Sequence, residues 1–237
     1  CPTLPGGRRK HASGGSTCWP AVSLCEDCLD VGIGGRMPGR FIVFEGGEGV
    51  GKSTQVQLLA QRLQDTGRSV VVTREPGGSP RAELIRELVL GDAFAGVDPR
   101  AELLLFAAAR ADHVAEVIQP ALAADAVVVC DRFVESTVAY QGVGRGLRAA
   151  DIRSLSAWAS QDIHPDLTIV LDLPVAEGLA RAQEPNRLES EDLAFHESVR
   201  ESFLSLADRP DVVVLPADQP QSVLADHVWA EVSRVLS

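Results

Sequence analysis

The residues whose types and spacing point most directly to chemistry are "GGEGVGKST" at 46–54, which contain the pattern G-x-x-x-x-G-K-[ST] between an apolar strand and an amphipathic helix. Gly46, Gly47, Gly49 and Gly51 let backbone N–H groups turn inward around phosphate oxygens, with Glu48 and Val50 between them. The following helix begins at its positive end, so an anion is welcome there. Lys52 is placed to reach the β and γ phosphates of a nucleoside triphosphate. Ser53, with Thr54 beside it, offers a hydroxyl to Mg²⁺. Apart from Lys10, Lys52 is the only lysine in the chain, and every other basic position is arginine. That bias fits a site that needs a compact ammonium.

A second constellation is "VVVCDR" at 127–132, an apolar strand ending in Asp131 and Arg132. Asp131 is the carboxylate expected on the magnesium side of the nucleotide, and Arg132 a guanidinium able to grip phosphate. The Asp-x-x-Gly and Asn-Lys-x-Asp motifs of switch GTPases do not occur where they would be expected. The pairing therefore reads as a kinase of small molecules.

These residues need a scaffold that brings strand ends together. Short apolar strands are expected at 40–45, 69–73, 126–130, 167–173 and 212–216, alternating with helices after the phosphate loop up to Gly67 and near 82–90, 149–161, 174–182, 189–207 and 219–236. A long helix opens at Asp98 with Pro99 behind it, and Pro120 is expected to kink or end it. Five buried strands alternating with helices predict an α/β fold, a parallel five-stranded sheet with helices on both faces.

Composition sets the boundaries. The chain has 237 residues and a formal net charge of −11, so its overall field repels nucleic acid polymers. The greasiest stretch, "AVVVC" at 126–130, is of strand length and too short for a membrane span, so neither partner is expected and a cytoplasmic protein is. Residues 1–36 are rich in Gly, Pro and Ser and lack periodicity. They hold Cys18, Cys25 and Cys28 near His11, without the paired spacing of a zinc finger. Met37, the sole methionine, precedes the first strand. The expectation is a disordered extension not needed by the catalytic domain at 37–237.

From residue 40 to about 236 the chain resembles the thymidylate kinases. The resemblance rests on "FEGGEGVGKST", "TREPGG" (73–78), "LLFAAAR" (104–110), "DRFVEST" (131–137), "AYQGVGRG" (139–146), "PDLTIVLDL" (165–173) and "RLESED" (187–192), in that order. It implies a P-loop nucleoside-monophosphate-kinase fold, a homodimer, and transfer of the ATP γ-phosphoryl to dTMP with Mg²⁺. It also implies roles for the acceptor side. Phe106 stacks on thymine, and Arg110, one helical turn on, bonds a base carbonyl. Tyr140 closes the space of a ribose 2′-hydroxyl, Thr137 and Gln141 are polar contacts near the base, and Arg74 takes the acceptor phosphate with Glu75 orienting it or holding metal-bound water. Arg86, on the next helix, is a further acceptor-side candidate or a surface ion pair.

The acidic Glu48 is expected to face the acceptor sugar or a bound water. The resemblance implies that an acidic residue at this position goes with arginines in a lid, near 181–190 here, that bring positive charge to the transferring phosphoryl group. Here the sequence departs from the family: "RAQEPNRLESED" offers only Arg181 and Arg187, diluted by Glu184 and Glu189, with Asn186 where the family more often has Asp. Arg187 is the first candidate for stabilising transition-state charge, Arg181 the second. Two other readings stay open at this point: a P-loop kinase for another phosphorylated acceptor, and a nucleotide-binding module without transfer activity.

Overall fold

The computed structural model describes residues 39–181 and 187–237. The N-terminal extension with Cys18, Cys25, Cys28 and Met37, and Glu184 and Asn186 of the expected lid, lie outside the described residues. Five strands, β1 (Arg40–Glu45), β2 (Val70–Arg74), β3 (Val127–Asp131), β4 (Leu167–Asp172) and β5 (Val212–Pro216), form one parallel sheet in the order β2-β3-β1-β4-β5. The parallel, five-stranded expectation is met. The register aligns Phe44 with Asp131 and Asp131 with Arg74, so the ends of β1, β3 and β2 finish in one row along a single sheet edge.

Both faces of the central strands are apolar because both are covered. On one face Ile42, Phe44, Val127, Val129, Ile169 and Leu171 meet α1 (Lys52–Asp65) through Val56, Leu59 and Leu63, and α9 (Gln221–Leu236) through Leu224, Val228 and Val232. Each such buried Leu or Val contributes about 1.5–3 kcal/mol of transfer free energy. The other face carries Phe41, Val43, Val128 and Cys130 beneath Val114, Ile118 and Phe133.

Helix starts follow the local chemistry. Ser79 caps α2 (Pro80–Leu90) by accepting from the Ala82 N–H, and Asp98 caps α3 (Pro99–His113) by accepting from the Arg100 N–H. Pro120 does not end the long helix. A wider π turn at Val114–Ile118 precedes it, and α4 (Gln119–Ala123) carries the helix on for three residues beyond the proline. The loosened turn absorbs the missing proline N–H.

Between β3 and α6 (Ala149–Ala159) the chain forms a helix that its sequence does not suggest: α5 (Val134–Thr137) runs into a π turn at Val138–Gly144. No local side chain caps it. The buried Glu45 carboxylate at the end of β1 accepts the N–H groups of Phe133 and Ser136 at 2.9 and 3.1 Å, so the cap comes from another strand. The helix expected at 189–207 is shorter, α8 (Leu193–Leu204), because Asp192 caps it by accepting from the Phe195 N–H at 2.8 Å.

The phosphate loop is also shaped from outside. Gly49 stands at a variable position of the motif yet has φ +65°, and a Cβ there would lie 1.9 Å from the carbonyl oxygen of Gly178 in α7 (Val175–Arg181). Reciprocally, a Cβ on Gly178 would lie 2.2 Å from the Glu48 carbonyl oxygen. Backbone therefore packs directly on backbone. Gly178→Ala is expected to cost about 1–3 kcal/mol through this overlap and to lower Tm by several degrees in thermal unfolding followed by circular dichroism; an unchanged Tm would contradict the contact.

Candidate functional site

The loop leaves β1 at Glu45 and enters α1 at Lys52, with Gly46, Gly49 and Gly51 all at positive φ and Val50 buried in the core below. Lys52 Nζ donates to the Gly46 and Gly47 carbonyls at 3.1 and 2.6 Å. Burial and the neighbouring Arg132 lower the pKa of this ammonium, while Glu48, Asp131 and Glu45 oppose them. Ser53 and Thr54 are exposed on the first turn of α1. The Ser53 hydroxyl donates to Asp131 Oδ2 at 2.8 Å, so the structure brings together the two hard oxygen ligands expected for Mg²⁺.

Arg132 occupies the left-handed region at φ +73°, a conformation that costs a non-glycine residue about 1–2 kcal/mol. Its backbone N–H donates to the Phe44 carbonyl at 2.8 Å, and its guanidinium donates to the Gly46 carbonyl at 3.0 Å and to Ser136 Oγ at 3.1 Å. A further bond runs at 2.7 Å to Glu48 Oε1, in an ion pair whose side chains are each 15% exposed. The Tyr140 hydroxyl donates to that same oxygen at 2.7 Å. Burial alone would raise the Glu48 pKa, but Arg132, Lys52 and the Tyr140 hydroxyl outweigh it and hold the carboxyl at about 2. Tyr140 is driven the other way, its phenol raised well above the ordinary value mainly by burial. Glu48 thus turns toward Tyr140, and Arg132, adjoining the β3 tip, is its countercharge.

Ser136 also donates to Glu45 Oε2 at 2.5 Å. Burial pushes the Glu45 carboxyl above its usual value against the pull of Ser136 and Arg132. Glu45 is a residue that sequence reasoning missed: it lies inside the recognised loop segment, but its role depends on a helix 90 positions away.

On the acceptor side, Phe106 and Arg110 are both buried on α3, and Phe106 shares an apolar cluster with Ala139 and Tyr140. Arg110 Nε donates to Glu75 Oε2 at 2.8 Å, Nη1 to Ser156 Oγ at 3.0 Å and Nη2 to Thr137 Oγ1 at 2.9 Å. Glu75 Oε1 also lies 3.1 Å from His113 Nδ1, and His113 Nε2 lies 2.6 Å from Thr73 Oγ1. Burial raises the Glu75 pKa, yet Arg110 and His113 more than reverse this and leave it below the ordinary value. Glu75 therefore fixes Arg110. Arg74 is oriented by another carboxylate, Glu83 on α2, at 3.0 Å. Arg86 Nη1 donates to the Pro76 carbonyl at 2.7 Å, and burial and the nearby Arg74 depress its pKa, so these arginines form a cationic wall beside Asp131.

Gln141 Nε2 donates to Glu102 Oε1 at 2.9 Å. Arg187 also stands against α3: its guanidinium donates to Glu102 Oε2 at 2.5 Å and to the Val89 carbonyl at 2.8 and 3.2 Å. Arg181 is exposed at the last residue of α7. Glu102 and His113 were not singled out from the sequence. Extending the Phe106 and Arg110 spacing by one turn each way reaches both.

Comparison with known proteins agrees with this geometry. A family model described as thymidylate kinase matches residues 44–228. A thymidylate kinase of Magnetococcus marinus is 48% identical over 202 residues, covering 83% of this chain and 96% of that protein. One of Geobacter sulfurreducens is 56% identical over 178 residues, covering 71% and 84%. The crystal structure of a thymidylate kinase from Ehrlichia chaffeensis matches with a TM-score of 0.66 at 34% identity, covering 84% of this chain and 99% of that one. With its parallel sheet, its phosphate loop and a match that spans the sheet and its helices, the chain belongs to the thymidylate kinase family.

Proposed function

We infer that this chain transfers the γ-phosphoryl group of ATP to dTMP, giving dTDP and ADP. The observation that carries this reading is the double engagement of Arg132, which bonds the Gly46 carbonyl of the phosphate loop and, through Glu48, meets Tyr140 of the acceptor pocket. In this reading one guanidinium stands between the donor and acceptor residues, a placement that suits in-line transfer between two phosphorylated molecules.

In this reading the loop amides of residues 46–54 and Lys52 hold the donor phosphates, while Arg132, Arg74 and Arg86 receive the acceptor phosphate. Phe106 stacks on the base, Arg110, Thr137 and Gln141 orient it, and Tyr140 fills the space of a 2′-hydroxyl. Glu75 keeps Arg110 aimed. Arg181, exposed beside the lid proposed near 181–190, brings positive charge to the transferring group. Ser53 and Asp131 would hold Mg²⁺; the ion would neutralise developing charge on the phosphate oxygens when bound. Among the described residues no cluster of three or more His, Cys, Asp or Glu side chains is arranged to hold a metal, which suits an ion ligated largely by nucleotide and water.

We also propose a homodimer. Leu84 and Leu88 on α2, Leu104 on α3 and Trp158 on α6 are exposed, Trp158 at 79% and Leu84 at 66%. These helices are neighbours, α2 against α3 and α3 against α6. Apolar side chains grouped on adjacent helices favour a protein contact. No described helix is long and apolar enough to cross a membrane. We take the cytoplasm, where nucleotide pools reside, as the place of action.

Two experiments test these readings. ADP release coupled to a reporter, with ATP and Mg²⁺ and with dTMP, dUMP, dCMP, dGMP or AMP as acceptor, is expected to show fast turnover with dTMP and slower turnover with dUMP. Lys52→Ala should lose on the order of 10²-fold or more of the rate, and absence of dTMP phosphorylation by the parent chain would refute the function. Light scattering after size exclusion should give twice the chain mass of 25.2 kDa, shifting to the single mass for Leu84→Glu with Trp158→Glu; a monomeric parent would refute the dimer.

A further inference from the structure

Among the described residues, the most deeply buried carboxylate outside the phosphate site is Glu102, on α3 one helical turn before Phe106 and only 1% exposed. Three side chains from two segments converge on it. Gln141, from the π turn after α5, donates to Oε1 at 2.9 Å, and Arg187, from the end of the expected lid, donates to Oε2 at 2.5 Å. Arg145 lies 3.6 Å from Oε1 and bonds Glu191 at 2.6 Å. Arg145 also sits 5.3 Å from the Phe195 ring centre, and Phe195 meets Tyr140 edge to face at 6.0 Å. A buried charge of this kind persists only where its partners are held in place, because losing one partner leaves the other uncompensated in a dry environment.

The partners share a direction. Gln141 and Tyr140 line the acceptor pocket in the function proposed above, and Phe106 rises from the same helix as Glu102. Arg187 is further bound by the Val89 carbonyl at the end of α2, which completes the fixation of its guanidinium against α2 and α3. We propose that Glu102 is the positioning residue of the acceptor-base pocket, and that Arg187 acts through Glu102 rather than on the transferring phosphoryl group. This rests on the thymidylate kinase reading of that pocket.

In this arrangement Glu102 holds the Gln141 amide so that its oxygen is presented in one orientation, and Arg187 supplies the countercharge beside the Glu102 carboxyl in the core. Loss of either member loosens the pocket around the base and leaves the phosphate loop untouched. The consequence is a change in acceptor affinity, separable from donor affinity and from the chemical step.

The test is steady-state kinetics of the full chain with ATP and dTMP for Glu102→Gln, Glu102→Asp, Arg187→Met and the Glu102→Gln, Arg187→Met double variant, each checked for native circular dichroism. Glu102→Gln and Arg187→Met are each expected to raise the dTMP KM about tenfold, with the ATP KM changed less than twofold. Glu102→Asp should recover part of the loss, and the double variant should be no worse than the poorer single one. If Glu102→Gln does not fold, Arg187→Met alone decides. A fall in kcat for Arg187→Met with both KM values unchanged would place that arginine on the transferring phosphoryl group and overturn the proposal, as would an unchanged dTMP KM in both variants. Turnover of dTMP by the parent chain in the same assay separates failure of this inference from failure of the function itself.

Discussion

The part-buried ion pair between Arg132 and Glu48 is the interaction on which the rest of the site depends. A protein with a formal net charge of −11 gathers Lys52, Arg74, Arg86 and Arg132 at one edge of its sheet, where they can hold phosphates but would repel one another without nearby carboxylates. Glu48 supplies the closest compensation, at 2.7 Å from Arg132, and the Tyr140 hydroxyl shares its oxygen. Breaking such a pair from one side leaves the surviving charge part-buried and uncompensated. The acidic residue in the phosphate loop is therefore part of what lets a strained arginine stand between that loop and Tyr140.

The site is built by mutual support between segments remote in sequence. The carboxylate of Glu45 caps the helix that bears Tyr140 and Gln141, and its partner Ser136 in turn accepts from Arg132. Gly178 of α7 presses on the loop backbone at Glu48 and Gly49, so the shape of the phosphate loop is tied to the helix leading into the lid. Glu75 and Glu102 do for Arg110 and the Gln141 amide what Glu48 does for Arg132. Each acid holds a donor in one orientation, and in the function proposed above such preorganisation lowers the reordering required during transfer.

How much of this was legible depended on whether the cause was local. The strands announced themselves by apolar runs covered on both faces, and the phosphate loop by glycine spacing, because those signals reside in adjacent residues. The helix at 134–144 did not, since its β-branched and glycine-rich sequence has poor intrinsic propensity and its cap is Glu45, far away in the chain. That the helix runs on past Pro120 was not legible for a related reason: the π turn before it accommodates the missing donor. Phe106, Arg110, Thr137, Tyr140 and Gln141 were placed through family likeness; in the fold Arg110 bonds Thr137 and Phe106 shares an apolar cluster with Tyr140. Glu75 was legible as important but not in its partner, which is Arg110 rather than Arg74. Arg187 was legible as a cation, but nothing local to its sequence points to Glu102.

The central claim is that Glu48 holds Arg132 between the two substrates. Calorimetric titration of dTMP and of ATP into Glu48→Gln, beside kcat for the same variant, tests it most directly. Glu48 stays ionised in the wild type far below neutral pH, its carboxyl being held at about 2, so the substitution removes a charge that is fully present under assay conditions. The account predicts dTMP affinity and kcat each lowered about tenfold or more, with ATP affinity changed much less. Unchanged dTMP affinity together with unchanged kcat would contradict it and leave Glu48 a bystander in the loop.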